Sequence, residues 1–360
     1  MKIGGSQLLL WSTIVIFSAC KKNDAPVLKN EKPQQLEVSA VTINAIQAPL
    51  TVLTLAGSST SRENGYQDGP GAQALFNNPQ GMDMLEDGTI YIADNGNNKI
   101  RKISPRNIVS TVTIPQSSDG KTMLQPLAVR VAKDGTINIL VAESPLNPKH
   151  KVWILKPNGQ LITPAYHSTD DHYYDIEKDP YNDYMWFCGA APVYSDTHVL
   201  TGYIGDVEKF ILNAGGNIGI DRYHPPGDSL TTADKQAPFF STFYCGYNGV
   251  KYLAISKNIY KLTSSGEFTR INRDVFSGYI YSIVATRDSR TLYIIADAAI
   301  YSLSNGVVKY LVGPHYNLNG KDGVGKDADV SARCLALSKD ESSLYFTDFL
   351  NHSVRRLFLK

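Results

Sequence analysis

The side chains with the widest chemical reach gather in one stretch. His167-Ser168-Thr169-Asp170-Asp171-His172-Tyr173-Tyr174-Asp175 sets two histidines, three carboxylates and two phenols within nine positions. Imidazole with carboxylate is the donor set that zinc and other divalent ions take. Flat phenol rings beside acceptor carboxylates suit a sugar or a peptide, because a ring with two torsions loses little rotamer freedom on binding. Tyr194, His198, Tyr223 and His224 repeat the pairing of ring and imidazole further along. These nine residues (Asp170, Asp171, His172, Tyr173, Tyr174, Tyr194, His198, Tyr223 and His224) are the candidate binding set. Two plain readings stand beside it. No two of the seven histidines form an HxH or HxxxH pair, so they read as solvated loop residues as readily as ligands for calcium or zinc. Half of the rings could equally pack the bases of their own loops.

Other reaction types leave no trace. There is no GxSxG, Walker loop or CxxC, and Ala214-Gly215-Gly216-Asn217-Ile218 lacks the spacing of a dinucleotide fingerprint. Cys188, Cys245 and Cys334 sit in apolar strand-like runs and read as buried, inert thiols. No residue can be assigned a catalytic role.

Composition narrows the class of partner. The chain has 360 residues with 35 Lys+Arg against 34 Asp+Glu, a net charge of +1, which argues against a nucleic-acid binder. Hydrophobic residues at 42% can build a core, and 28 Gly with 21 Tyr lean toward strands and turns. The N-terminus reads as an address. Met1-Lys2 is followed by an apolar run from Leu8 to Phe17, too short to span a bilayer. Phe17-Ser18-Ala19-Cys20 resembles a bacterial lipobox, which implies cleavage before Cys20 and acylation of that residue. Several acyl chains would anchor the protein without a spanning segment. Lys21 in place of Asp favours the outer membrane, by analogy with lipoprotein sorting. The expected layout is a signal peptide at 1–19, the lipidated Cys20 with a flexible tether over 20–48, and a folded domain over 49–360.

One phrase recurs through that domain. Thr89-Ile90-Tyr91-Ile92-Ala93-Asp94 returns as aromatic and β-branched runs ending at residues 143, 189, 256, 297 and 348. Four of the five steps are between 41 and 51 positions, the length of one four-stranded propeller blade, and the step to 256 needs an insertion. Asp87-Gly88, Asp134-Gly135, Asn158-Gly159, Ser265-Gly266 and Asn305-Gly306 mark hairpin turns between the strands. The run GTIYIADNGNNKIRKI resembles an NHL repeat, whose Asp-x-x-Asn-x-[Arg/Lys]-Ile-Arg signature falls on Asp94, Asn97 and Arg101. SSLYFTDFLNHSVRRL matches more loosely. The resemblance implies an all-β fold, a six-bladed β-propeller of four-stranded antiparallel blades. In it the signature residues would tie strand to loop within a blade.

Blade six runs out after three strands, while Pro49 to Gly57 reads as an outer strand with no blade of its own. The N-terminal strand should therefore complete the last blade and close the ring. The second-to-third strand loops and the interblade links share one face, and the long segments 58–78, 190–206, 215–238 and 313–331 all fall there. Loops lengthened on one side of a rigid scaffold are where binding is built. Two of them share a phrase, Asn64-Gly65-Tyr66-Gln67-Asp68-Gly69 and Asn319-Gly320-Lys321-Asp322-Gly323, read as a structural turn with a cation site as the alternative. The favoured reading is a non-enzymatic, membrane-anchored binding or scaffold propeller, with no cofactor, that presents its loop face to a glycan, peptide or envelope protein. The alternative is a metal-dependent (calcium or zinc) lyase or hydrolase at the mouth of the central channel, as NHL-like and lactonase-like propellers would imply.

Overall fold

A computed structural model of the chain describes residues 47–360, apart from 59–60, 145–146, 165–171, 183, 213–217, 227–228, 237–238, 274–275, 277 and 315–319. The chain divides into two units, Met1–Ala45 and Ile46–Lys360, and every described residue lies in the second. The signal segment, Cys20 and all but the last two residues of the expected tether lie outside the described residues, as do Asp170 and Asp171.

Each recurring phrase becomes the second strand of a four-stranded antiparallel sheet. In the first sheet Pro79–Met84, Ile90–Asp94, Lys99–Ile103 and Ile108–Val112 follow one another from the inside outward. The inner strands of the next five are Pro126–Val131, His172–Lys178, Phe240–Cys245, Ile280–Ala285 and Ala332–Leu337. The sixth sheet obtains its outer strand from the other end of the chain. Thr51–Ala56 pairs antiparallel with Ser353–Phe358, with Val52 opposite Leu357 and Thr54 opposite Arg355. This is the expected ring, a six-bladed β-propeller closed by its N-terminal strand. Two blades gain a short fifth strand: Gly69–Pro70 outside blade 1 and Gly323–Val324 outside blade 6.

The core is six slabs, one between each pair of adjacent blades. Ile100, Val129, Ile139 and Trp153 fill the gap between blades 1 and 2, and Ile295, Ile300, Leu335 and Phe346 that between blades 5 and 6. Each second strand is sandwiched between neighbouring blades, so it is apolar along most of its length, as Ile90, Ile92 and Ala93 show, all buried. At about 25 cal/mol per Å² of apolar surface removed from water, these slabs are the main stabilising term.

Two expectations about loops change. Residues 190–206 form no loop: Met185–Tyr194 and Leu200–Leu212 stay paired as one long hairpin that turns at 195–199. The β-branched and aromatic residues Val193, Tyr194, Val199, Thr201 and Tyr203 favour continued pairing over a coil. Ile218–Tyr223, inside the segment assigned to an interblade link, is the outer strand of blade 3.

Candidate functional site

The inner strands enter the ring from the loop face, and each is irregular at that end. In blade 3 Tyr173 pairs with Gly189 and Asp175 with Cys188, leaving Tyr174 as an extra residue on its strand. The same β-bulge leaves out Leu127 in blade 2, Ser241 in blade 4, Tyr281 in blade 5 and Arg333 in blade 6. In blade 1 Gln80 and Gly81 stand against one partner residue. A bulge bends its strand and re-aims the extra side chain. All six aim at the same place. Gln80, Leu127, Tyr174, Ser241, Tyr281 and Arg333 line one cavity of ≈ 460 Å³ on the channel axis. Phe239 and Tyr279, each just before an inner strand, add two more rings to its wall, and Tyr279 is 60% exposed. His150, Asp175 and Ser256 complete the polar part.

Contacts between blades fix this wall. Ser241 Oγ donates to the Ile280 carbonyl (2.7 Å), and Thr347 Oγ1 to the Gln80 carbonyl (2.6 Å). Ser282 Oγ accepts from the Leu335 N–H (3.1 Å). Gly81 is required where blades 1 and 2 meet, because a Cβ there would stand 2.6 Å from the Ala128 Cα.

A charged belt closes the floor. Arg130 donates to Glu177 Oε2 through Nε (3.0 Å) and Nη2 (2.9 Å), and its Nη2 lies 3.7 Å from Asp175. Burial opposes the Arg130 charge, but Glu177 and Asp175 outweigh it and hold the guanidinium more basic than usual. Asp175 also accepts from Thr242 Oγ1 at 2.6 Å. Burial raises the pKa of Asp175 and of Glu177 against the attraction of Arg130. Below the belt a second cavity of ≈ 580 Å³ opens on the opposite face, where Lys178 Nζ meets the Asp83 carboxylate at 2.7 Å. The two cavities share the belt between them, Asp175 lining the first and Arg130 and Glu177 the second.

Of the nine candidate residues, Tyr174 lines the loop-face cavity. Burial, with Tyr203 nearby, raises its phenol pKa, so it stays neutral. Tyr173, its neighbour, points the other way. It is buried against Phe187 and its hydroxyl donates to Glu208 Oε2 at 2.6 Å. Tyr223 packs its ring 6.2 Å from Phe268 beside the blade 3–4 slab. His224 Nδ1 lies 3.5 Å from Asp206, and Tyr194 and His198 ride the exposed end of the long hairpin. His172 contributes backbone to its strand, its side chain being outside the described residues. Tyr279, Tyr281, Arg333 and Gln80 escaped sequence reasoning. Aligning the inner strands on the partners they pair with puts Leu127, Tyr174, Ser241, Tyr281 and Arg333 in one column, but the pairings that define the column come from the structure.

Among the described residues no three or more His, Cys, Asp or Glu side chains gather as a metal ion requires. Cys188, Cys245 and Cys334 are free and buried, and burial raises their thiol pKa, which makes them poor nucleophiles at neutral pH.

The signature residues do a different job. Asp94 accepts from the Asn77 N–H (2.8 Å), Asn97 Nδ2 (2.8 Å) and Arg101 Nη1 (2.9 Å). Arg101 then reaches the Leu75 and Gln67 carbonyls and Asp68, so one guanidinium staples the 58–78 link to blade 1. The sequence matches the NHL repeat family over residues 76–103. The first blade of this propeller is an NHL repeat. Blade 6 copies the arrangement: Asp348 accepts from the Ser331 N–H, Asn351 and Arg355, and Arg355 goes on to Asp322. Asp68 and Asp322, the acids of the shared loop phrase, are filled by an arginine and a threonine each, Thr111 and Thr54. That fits the structural reading of the phrase.

No curated protein matches the sequence. Solved structures similar to this propeller include a Bacteroides thetaiotaomicron protein of unknown function, 15% identical, with a TM-score of 0.61 over 86% of this chain and 76% of that one. An auxiliary nutrient binding protein from Bacteroides ovatus is 12% identical, with a TM-score of 0.59 over 86% and 76% of the two chains. A virginiamycin B lyase from Staphylococcus aureus is 14% identical, with a TM-score of 0.52 over 86% and 98%. At these identities the likeness is one of fold, and the fold is shared by binders and enzymes alike.

Proposed function

We propose that this chain is a membrane-anchored, extracytoplasmic binding propeller, an outer-membrane lipoprotein acylated at Cys20, that holds its partner at the loop-face mouth of its channel. One observation carries the binding reading: six bulges, one per blade, turn side chains into a single cup walled by the rings of Tyr174, Phe239, Tyr279 and Tyr281. A concave site of a few hundred Å³ with aromatic walls and a few fixed polar groups is the usual form of a small-ligand site. Exposed rings on a rigid rim lose little entropy on binding. Glycans, peptides and the end of an envelope protein all present groups of that size. The anchoring reading rests on the lipobox-like Phe17-Ser18-Ala19-Cys20.

A screen of glycans and peptides against the intact chain, repeated with Tyr174→Ala plus Tyr279→Ala, tests the site. Loss of the ligand with unchanged thermal unfolding supports it, and an interaction indifferent to both changes overturns it. Near-stoichiometric calcium or zinc in protein freed of loosely held ions would instead favour a metal-dependent lyase or hydrolase. Cys20→Ser should release the protein from the membrane fraction, and retention there would overturn the anchor.

A further inference from the structure

Resting on that reading of the mouth, the chemistry of its wall narrows the ligand. Arg333 occupies the bulge position of blade 6 and is partly exposed to the cavity. Its Nε donates to Gln80 Oε1 at 2.8 Å, and its guanidinium lies over the Tyr281 ring, 4.1 Å from the centroid. Those two neighbours fix the plane of the fork. Among the described residues no carboxylate lies within ion-pair range of it. Asp175, the acid in the same wall, is already engaged by Arg130 and Thr242. Burial, only partly offset by Tyr281, makes the Arg333 cation less stable than in water. The contrast with Arg130, Arg101 and Arg355, each held by a carboxylate within 3 Å, is direct. A planar, oriented, half-buried guanidinium with no carboxylate partner among the described residues is a receptor for a carboxylate, which it can grip through parallel N–H bonds.

The rest of the wall selects what carries that carboxylate. The rings of three tyrosines and Phe239 stand beside the polar groups of Ser241, Ser256 and Gln80, and among the described lining residues Leu127 is the one sizeable aliphatic side chain. A pyranose fits such a surface, its C–H face on a ring and its hydroxyl rim on the polar groups, whereas an apolar peptide side chain would ask for an aliphatic pocket. We propose that the cup holds an acidic saccharide, with a uronate carboxylate on Arg333 and the sugar ring against the tyrosines.

The test is titration calorimetry of the full chain with oligomers of galacturonate, glucuronate, mannuronate and guluronate, each beside its carboxyl-reduced counterpart. At least one acidic oligomer should bind about 10-fold or more tighter than its reduced form. Arg333→Gln should remove that margin with thermal unfolding unchanged, and Arg333→Lys should restore it only in part. Equal binding of acidic and reduced forms, insensitive to Arg333→Gln but lost in Tyr174→Ala, would overturn the acid and leave the mouth as the binding site. Failure of the whole panel would overturn the saccharide. Arg333-dependent binding of a peptide through its terminal carboxylate, with no uronate binding, would overturn it as well.

Discussion

Arg355 donates from Nη1 to the Asp348 carboxylate at 2.8 Å, and both side chains are wholly withdrawn from water. The same guanidinium also reaches the Asp329 and Lys321 carbonyls and Asp322. Burying two ions is expensive, so such a pair persists where nearly every donor is used. Here the use is mechanical. The residues tied down belong to the link over 313–331 that enters blade 6, and the strand carrying Arg355 is the one that receives the N-terminal strand. Arg101 does likewise for the link that leaves the seam. The two Asp-Asn-Arg sets, Asp94-Asn97-Arg101 and Asp348-Asn351-Arg355, therefore flank the joint between the chain ends.

Breaking either staple on one side should be costly. Arg355→Met or Arg101→Met leaves a buried aspartate uncompensated, and a loss of about 3–5 kcal/mol is expected in urea unfolding. A loss below about 1 kcal/mol would mean that the aspartate had been neutralised at little cost, and that the joint holds by strand pairing alone.

Gly57 ends the closing strand at φ +98°, and a Cβ there would stand 2.8 Å from the His352 carbonyl oxygen. Gly57→Ala should therefore lower stability by about 2 kcal/mol or more, from the left-handed backbone and the clash together. Gly120, at φ +77° with open space around it, is the control for backbone strain alone, and Gly120→Ala should cost less. Denaturation midpoints of the two variants make the comparison.

Tyr173 and Tyr174 are adjacent and should behave as opposites. Tyr173→Phe removes a buried hydroxyl bonded to Glu208 and should cost about 1.5–3 kcal/mol. Tyr174→Ala removes an exposed ring from the cup and should leave stability within about 0.5 kcal/mol. Ligand binding, once a ligand is in hand, should show the reverse order.

His352 links the seam to pH. Its Nδ1 accepts the Asn78 N–H at 3.1 Å, which requires a neutral ring, and burial holds its pKa below the ordinary histidine range. Asp348 pulls the value up and Arg62 pushes it down. With the folded pKa below the unfolded one, the unfolded chain takes the proton first as pH falls. The contribution is therefore complete above about pH 6.5 and declines as pH drops toward the folded value. Urea midpoints between about pH 7.5 and 5.5 should fall more steeply for the wild type than for His352→Gln. Parallel slopes would assign the acid sensitivity to other groups.

Much of this fold was readable because strands are written locally. The run Ile90 to Asp94 is apolar nearly throughout since blades cover both of its faces, and the six copies of that pattern number the blades. The closing strand was readable too, because Val52 to Leu55 needs a partner and the last blade lacks one. The long hairpin of blade 3 was less so. Its pairing beyond Ala190 depends on the two strands supporting each other, a cooperative property that no short window of sequence displays.

The cup was hardly readable at all. The dense patch around Asp170 drew attention by residue type, yet the single described member of the candidate set that lines the cavity is Tyr174, and a one-residue step along its strand would have pointed it into the core as Tyr173 is. Local sequence set the second strand of each blade, the number of blades, the seam and the signature residues, all of which rest on patterns a few residues long. The meeting of Gln80 with Arg333, 253 positions apart, was decided only by ring closure and by six bulges that tilt one residue per blade toward a common axis. A cavity wall assembled from one residue per blade has no local signature, because each contribution means nothing until the other five are in place.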